Sequence, residues 1–243
     1  MIIDCHCHAG KGDGFTGPWD TTAPLERYLA RASEAGITRT VVFSAFHSDY
    51  AAANREVARI VAKHEGRLIG FAFINPKSDV GNVRSLVGEA VERYGFRGIK
   101  VHQHDGRITR EVCEVAQSFG LPILYDVMGD VTILDLLAPE YPDVPFIIPH
   151  LGSFADDYRA QISLIDKLPR LPNVYTDTSG VRRFDLLESA VARVGPSKVL
   201  FGSDGPWLHP GLELAKIRAL GLPPADERLI VGGNLLRLIG RKA

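Results

Sequence analysis

Three things are scarce in this chain. Cysteine is one: 3 occur in 243 residues, and two of them, Cys5 and Cys7, share one short apolar stretch. That number and placement build no disulfide framework, and a reducing cytoplasm is the compartment it suits. Net charge is another. With 28 Lys and Arg against 29 Asp and Glu, the formal charge is −1, which offers no electrostatic footprint for nucleic acid or an anionic membrane. Long apolar runs are the third. None approaches the roughly 20 residues of a bilayer-spanning helix, and the opening residues lack the basic segment that leads a secretory signal. Linkers, low-complexity stretches and close repeats are also missing. The remainder, 45% hydrophobic and 23% charged, is ordinary for a globular protein, and residues 1–243 read as a single domain.

What is present is an alternation. Short apolar runs occur at Ile2–His8, Thr40–Ser44, Leu68–Ile74, Arg97–His102, Pro122–Val127, Pro145–Pro149, Asn173–Thr178 and Lys198–Ser203. Each is followed by a longer segment of helical period. These are Leu25–Ala35, Tyr50–His64, Val80–Tyr94, Arg110–Phe119, Val131–Leu137, Ala155–Lys167, Phe184–Val194 and Gly211–Leu220, with a last helix over Ala225–Ile239. Several stop at glycine, Gly120 among them, as helix C-termini commonly do. Eight βα units predict a (β/α)8 TIM barrel. A doubly wound open sheet is the alternative, but it usually has fewer strands.

A barrel of this kind carries its active site at the C-terminal ends of its strands, and the polar residues collect there. The first run reads Ile3-Asp4-Cys5-His6-Cys7-His8. Alternation along a strand puts Asp4, His6 and His8 on one face and Cys5 and Cys7 on the other, toward the helices. Two convergent imidazoles suit a transition metal, zinc above all. The fourth run ends Lys100-Val101-His102, the fifth at Asp126, the sixth at His150, the seventh at Asp177 and the eighth at Ser203-Asp204. An inward lysine at position 100 is costly unless paired or neutralised. Asp177 reads more simply as a loop or helix-capping residue. Cys113, inside a helical segment, reads as an ordinary buried side chain.

Six segments in order, His6-Cys7-His8, Gly98-Ile99-Lys100, Gly120-Leu121-Pro122, His150-Leu151-Gly152, Gly202-Ser203-Asp204 and Gly232-Gly233-Asn234-Leu235-Leu236-Arg237-Leu238, resemble the amidohydrolase superfamily over the whole chain. The compact amidohydrolase-2 branch, which includes aminocarboxymuconate-semialdehyde decarboxylase, is the nearest in pattern. The resemblance implies a zinc held by His6, His8, a residue of the fifth strand and Asp204, with His150 as a base or water-positioning group. A second zinc, or Mn²⁺ in place of zinc, is the variant of that expectation. The chain departs from the pattern at the fifth strand, where relatives carry histidine and this sequence has Asp126. A carboxylate there can still ligate; the alternative is that His102 takes its place. In binuclear relatives a fourth-strand lysine is carboxylated and bridges two metals. Here Lys100 either does so or stays cationic beside Asp126 or a substrate carboxylate, the second being favoured because compact relatives are mostly mononuclear.

The implied chemistry is metal-assisted hydrolysis of a small amide, ester or lactone. Asp204, His150 and Lys100 are the catalytic candidates, and His102, Arg182 and Trp207 the substrate-binding ones. Arg183 and His209, with the runs Gly10–Gly17 and Phe46–Asp49, are further rim candidates. Non-oxidative decarboxylation of a small carboxylic acid is the alternative. A TatD-like nuclease fits less well because that branch expects glutamate where Lys100 stands, and a non-catalytic binder on a decayed scaffold is the remaining reading. The expected partners are a small-molecule substrate and a second copy in a homodimer, with neither nucleic acid nor membrane.

Overall fold

The strands are short and apolar on both faces, as in Val41-Val42-Phe43 and Phe146-Ile147-Ile148, which are fully buried. Sequences of this kind belong in a parallel sheet covered on both sides. In a computed structural model that describes residues 1–15, 22–154 and 157–240, the strands are β1 (Ile3–Lys11), β2 (Thr22–Ala23), β3 (Arg39–Ser44), β4 (Leu68–Gly70), β5 (Ala72–Phe73), β6 (Ile99–His102), β7 (Ile123–Asp126), β8 (Phe146–Ile148), β9 (Val174–Asp177) and β10 (Val199–Leu200). Every one of the eight expected runs contains a strand.

Hydrogen bonding divides them into the orders β2-β1-β3-β4 and β10-β9-β8-β7-β6-β5. Two seams join these into a barrel. At the first, β4 and β5 are one stave interrupted at Phe71: the Phe71 N–H donates to Val42 O at 2.9 Å, and the Ala72 N–H donates to Gly98 O at 2.9 Å. The interruption lets one stave pair with β3 and then with β6. At the second, Cys5 N–H donates to Phe201 O at 3.0 Å and His8 N–H to Gly205 O at 2.6 Å, joining β1 to the exit of β10. The result is the expected (β/α)8 barrel, with β2 as a short antiparallel addition beyond the mouth.

Helices α1 (Leu25–Glu34), α2 (Tyr50–Lys63), α3 (Val83–Glu92), α4 (Arg110–Phe119), α5 (Leu134–Glu140), α6 (Tyr158–Lys167), α7 (Phe184–Val194) and α8 (Pro210–Ala219) form the outer layer. Their ends follow local chemistry. Asp49 accepts from Ala52 N–H at 2.9 Å at the start of α2, and α4 stops at Gly120, whose φ of 63° needs no Cβ accommodation. The final segment differs from expectation. The single helix over Ala225–Ile239 is instead α9 (Pro224–Arg228), a π-turn over Leu229–Gly233 and α10 (Asn234–Ile239). The break has a purpose in packing: Ile230 O accepts from Phe201 N–H at 2.9 Å, so the chain must turn there to meet β10. The start of the helix expected at Ala155 and the end of the run Gly10–Gly17 lie outside the described residues.

The barrel interior is filled by Ile3, Val41, Phe43, Ile69, Phe71, Phe73, Leu124 and Ile147, with Leu235 and Leu238 of α10 closing the N-terminal end. Each such buried side chain contributes roughly 1.5–3 kcal/mol. Phe71 takes its place only because position 98 is glycine: a Cβ there would come within 2.5 Å of its ring.

One sequence-based expectation fails inside β1. The pairing register with β3 shifts between Asp4 and Cys7, so simple alternation does not hold there. Cys5 packs in the barrel interior, while Asp4 turns outward to the Tyr28 hydroxyl of α1 at 2.6 Å. Cys7 does lie in the helix layer, as expected, and so does Cys113.

Candidate active site

The β1 irregularity aims both His6 and His8 into the mouth of the barrel. Each ring is held from behind. The His8 Nδ1–H donates to Ser44 O of β3 at 2.9 Å, and the His6 Nδ1–H donates to Asp177 Oδ2 of β9 at 2.9 Å. With both Nδ1 atoms protonated, both Nε2 atoms present lone pairs. Both face the same oxygen, Asp204 Oδ1, at 3.3 Å from His6 and 3.7 Å from His8. Three electron-rich atoms thus converge with no donor among them. Such a cluster calls for a cation, and its two imidazoles and one carboxylate fit a divalent metal ion. Burial deepens this preference. It lowers the His6 imidazole to about 4 and His8 well below its ordinary range, with the Lys100 charge adding in both cases.

Asp204 sits at the exit of β10 in a left-handed conformation, φ 55°. Gly202, two residues before it, lets this turn pass close to the ligand layer: a Cβ there would stand 3.0 Å from both His6 Cβ and Asp177 Cγ. Burial pushes the Asp204 carboxyl up to about 7, opposed by His150 and Lys100 and helped by Asp177 and Asp126. Beneath it, buried Asp4 braces both sides of the seam. Its carboxylate accepts from His6 N–H at 3.0 Å, Ser203 N–H at 2.9 Å and the hydroxyls of Tyr28 and Ser203.

A second group faces the first. Asp126 Oδ2 lies 3.2 Å from His102 Nε2 and 3.5 Å from His150 Nε2. His150 also has φ 60°, a strained setting of a kind that clusters at functional sites. Its Nδ1–H donates to Ser179 O at 2.8 Å, and its Nε2 faces Asp126 Oδ2 as an ion pair at 3.5 Å. Burial alone would lower this imidazole, but the Asp126 hydrogen bond and charge outweigh it and raise it to about 9. Burial would likewise raise Asp126; His102 and His150 instead hold it well below the ordinary carboxylate range. Among the described residues, Asp126 belongs to neither cluster of convergent ligand atoms.

Asp177 is the residue that sequence reasoning undervalued. It is fully buried and accepts from His6 Nδ1–H, from His150 N–H at 3.2 Å and from Ser179 N–H at 3.0 Å. Burial would raise its carboxyl, yet His6 and the other donors hold it below the ordinary range. The Ser179 hydroxyl lies 2.9 Å from His150 Nδ1 and 3.3 Å from His6 Nδ1, bridging the two groups. The available signal was the polar run Asp177-Thr178-Ser179 at the end of a strand, where a barrel enzyme places its chemistry.

These groups open into a cavity of about 500 Å³. His6, His8, Lys100, His102, Asp126, His150, Asp204 and Trp207 all line it, together with Phe46, His104, Met128, Ser153, Phe154 and Leu208. The structure therefore brings together every metal, catalytic and substrate-binding candidate except Arg182, which is exposed after β9 and outside the lining; the rim candidates Arg183 and His209 also lie outside it. Arg183 is taken up by Asp185, and His209 caps α8 by accepting from Gly211 N–H at 3.2 Å. Trp207 packs 4.6 Å from the His8 ring, centroid to centroid, and donates from Nε1 to Thr22 O.

The amidohydrolase family model (Amidohydro_2) matches residues 3–241. No curated protein matches the chain. Similar solved structures include 5-carboxyvanillate decarboxylase from Sphingomonas paucimobilis, at 14% identity and TM-score 0.75, covering 99% of each chain. Another is a dihydroxybenzoic acid decarboxylase from Polaromonas sp. with bound manganese and the inhibitor 2-nitroresorcinol, at 18% identity and TM-score 0.73, covering 98% of this chain and 96% of that one. A third, from Pseudomonas putida and named for 2-pyrone-4,6-dicarboxylic acid hydrolysis, shares 18% identity with TM-score 0.75, covering 99% of this chain and 97% of that one. Among the described residues no helix is long and apolar enough to cross a membrane.

Proposed function

The chain belongs to the amidohydrolase family, and from that premise we propose that it is a zinc-dependent hydrolase of a small ester, lactone or amide. The observation that carries the reading is the convergence of His6 Nε2, His8 Nε2 and Asp204 Oδ1 on one point at the barrel mouth. These three residues would hold the ion. The chemistry zinc supplies in such a setting is Lewis acidity toward a carbonyl oxygen and a bound water acidified to a pKa of about 7.

The chain's own residues supply the rest. Asp204 is the base. Its carboxyl faces the cavity, where it would take up the proton of the attacking water. His150, paired with Asp126, is an imidazolium, and it sets a positive charge beside the oxyanion that develops on the substrate. Asp126 keeps that imidazolium charged and oriented. Phe46, Phe154 and Trp207 give the cavity an apolar wall.

The apolar wall also favours a second reading, non-oxidative decarboxylation. Removing water from a carboxylate promotes loss of CO₂, and the His150 imidazolium would then return a proton to the carbon left behind. Product analysis separates the two. Zinc- and manganese-reconstituted protein is incubated with small lactones, aryl esters, anilides and hydroxylated aromatic acids, and released CO₂ is measured against released acid and alcohol or amine. Hydrolysis that falls by about two to four orders of magnitude in Asp204→Asn is the expected result. Wild-type turnover in that variant overturns the mechanism, and CO₂ as the sole product replaces hydrolysis with decarboxylation.

A further inference from the structure

Met128 is held where a side chain is costly. It follows β7 by two residues, lines the cavity and has φ 47°, in the left-handed region. There a Cβ crowds the carbonyl oxygen that follows it. Glycine escapes that cost, and the chain uses one at the very next position, Gly129, φ 88°. Burial does not offset the strain at Met128. The side chain is 53% exposed and, among the described residues, joins none of the three hydrophobic clusters. Strain kept at a cavity wall, with little packing gained for it, points to function.

The conformation is fixed by the site itself. Asp126 Oδ1 accepts from Met128 N–H at 2.9 Å, while Asp126 Oδ2 faces His102 and His150. Gly129 N–H donates to Gly152 O at 2.8 Å, which ties this turn to the one carrying His150. In that second turn His150, Leu151 and Gly152 are left-handed in succession, with φ 60°, 51° and 95°. Beyond it, Phe154 packs 5.0 Å from the His150 ring, centroid to centroid, and is 48% exposed in the cavity wall. The mouth thus carries two large, half-exposed apolar side chains on two loops fastened to each other. One carboxylate, Asp126, orients both the imidazoles and the methionine.

We propose that Met128 is a specificity-determining residue whose thioether packs on the apolar body of the substrate, opposite its reacting end, and completes the wall that Phe154 begins. An unbranched thioether suits this role, because it adapts to different shapes and packs well against rings. The assignment rests on the reading above in one respect, that the reacting end lies at His6, His8 and Asp204.

The chain has two methionines, Met1 and Met128, so ¹³C-methyl methionine labelling gives Met128 a signal of its own, identified by its loss in Met128→Gln. The probes are acetohydroxamate and benzohydroxamate, which share a metal-chelating head and differ in apolar body, each titrated into zinc-loaded protein. Benzohydroxamate is expected to shift the Met128 methyl by its ring current, and acetohydroxamate to leave it nearly in place. By calorimetry, the preference for benzohydroxamate falls about three- to tenfold in Met128→Gly and Met128→Gln, with acetohydroxamate affinity unchanged. The urea midpoint of Met128→Gly stays at or above that of the wild type, because relief of strain offsets a freer unfolded chain; a lowered midpoint makes Met128 a structural residue and overturns the proposal. A methyl unmoved by bound benzohydroxamate also overturns it, as does a preference that survives in both variants. Equal weakening of both hydroxamates does the same, since Met128 then acts on the metal end through Asp126. Benzyl alcohol titrated into metal-free protein reads the same methyl without the cluster. A ring-current shift from it, with no binding of either hydroxamate, sinks the metal-dependent reading alone. Hydroxamate binding with the methyl unmoved sinks the Met128 assignment alone, and failure of all three probes sinks both.

Discussion

Replacing Asp177 by asparagine tests whether the buried carboxylate sets the ligand state of His6. Both its oxygens accept: Oδ2 from His6 Nδ1–H at 2.9 Å, and Oδ1 from His150 N–H at 3.2 Å and Ser179 N–H at 3.0 Å. An amide can accept on one side only. If asparagine keeps its oxygen toward the two backbone donors, its NH₂ meets His6 Nδ1–H, and His6 must move its proton to Nε2, the atom needed for the metal. If it turns the other way, two buried backbone N–H groups face a donor. Outer-shell partners of this kind are worth about 10–100-fold in metal affinity, or about 1.4–2.7 kcal/mol. The assay is zinc competition against a chromophoric chelator, with denaturant unfolding in the presence of EDTA as the control. The expected stability loss without metal is on the order of 2 kcal/mol, because charge-assisted hydrogen bonds are weakened while the cost of burying the charge is relieved. The pH sign follows from the depressed Asp177 carboxyl. Its contribution is fully present above the ordinary carboxylate range and is lost as pH falls through the folded value, so metal-free wild type loses more stability in acid than the variant does. Wild-type zinc affinity in a variant that is only less stable would refute the reasoning and leave Asp177 a purely structural residue.

The other predictions concern the metal, the facing group and the barrel wall. Stripping the reconstituted protein with EDTA lowers its thermal midpoint and zinc restores it, by about 4 kcal/mol at a thousandfold excess over Kd; an unchanged midpoint would count against a metal at this cluster. Asp126→Asn lowers turnover by about two orders of magnitude or more while bound zinc stays stoichiometric; parallel loss of zinc, measured by elemental analysis, would make Asp126 a ligand after all. Gly98→Ala forces a Cβ to within 2.5 Å of the enclosed Phe71 ring and destabilises by about 1–3 kcal/mol in urea unfolding; a neutral result would mean the interior repacks freely.

The eight runs, the helices that follow them and the mouth positions of His6, His8, His150 and Asp204 were legible because they depend on local pattern and on one rule of barrel architecture. What was not legible depends on irregularity. Alternation in β1 fails within four residues, so Cys5 faces in and Asp4 out, and nothing in Ile3-Asp4-Cys5-His6 announces the register shift. Asp126 reads as a substitute ligand on the strand, but its oxygen is engaged from two sides by His102 and His150, which only the closed barrel brings near. Arg182 reads as a substrate anchor by position, and a few residues of loop carry it out of the cavity. Asp177 reads as a loop or capping residue because carboxylates at strand ends commonly cap; its link to His6 spans 171 positions in sequence, a separation that no local rule reaches.

The seam between β1 and β10 also fixes when the site can exist. His6 and His8 leave the ribosome long before Asp204, and the hydrogen bonds from Cys5 to Phe201 and from His8 to Gly205 are the contacts that bring them together. Closing so long a loop comes late and costs entropy that only the completed barrel returns. A nascent chain therefore carries two imidazoles without their carboxylate until the stretch between them has been made, and tight metal uptake becomes a report that the last stave has docked.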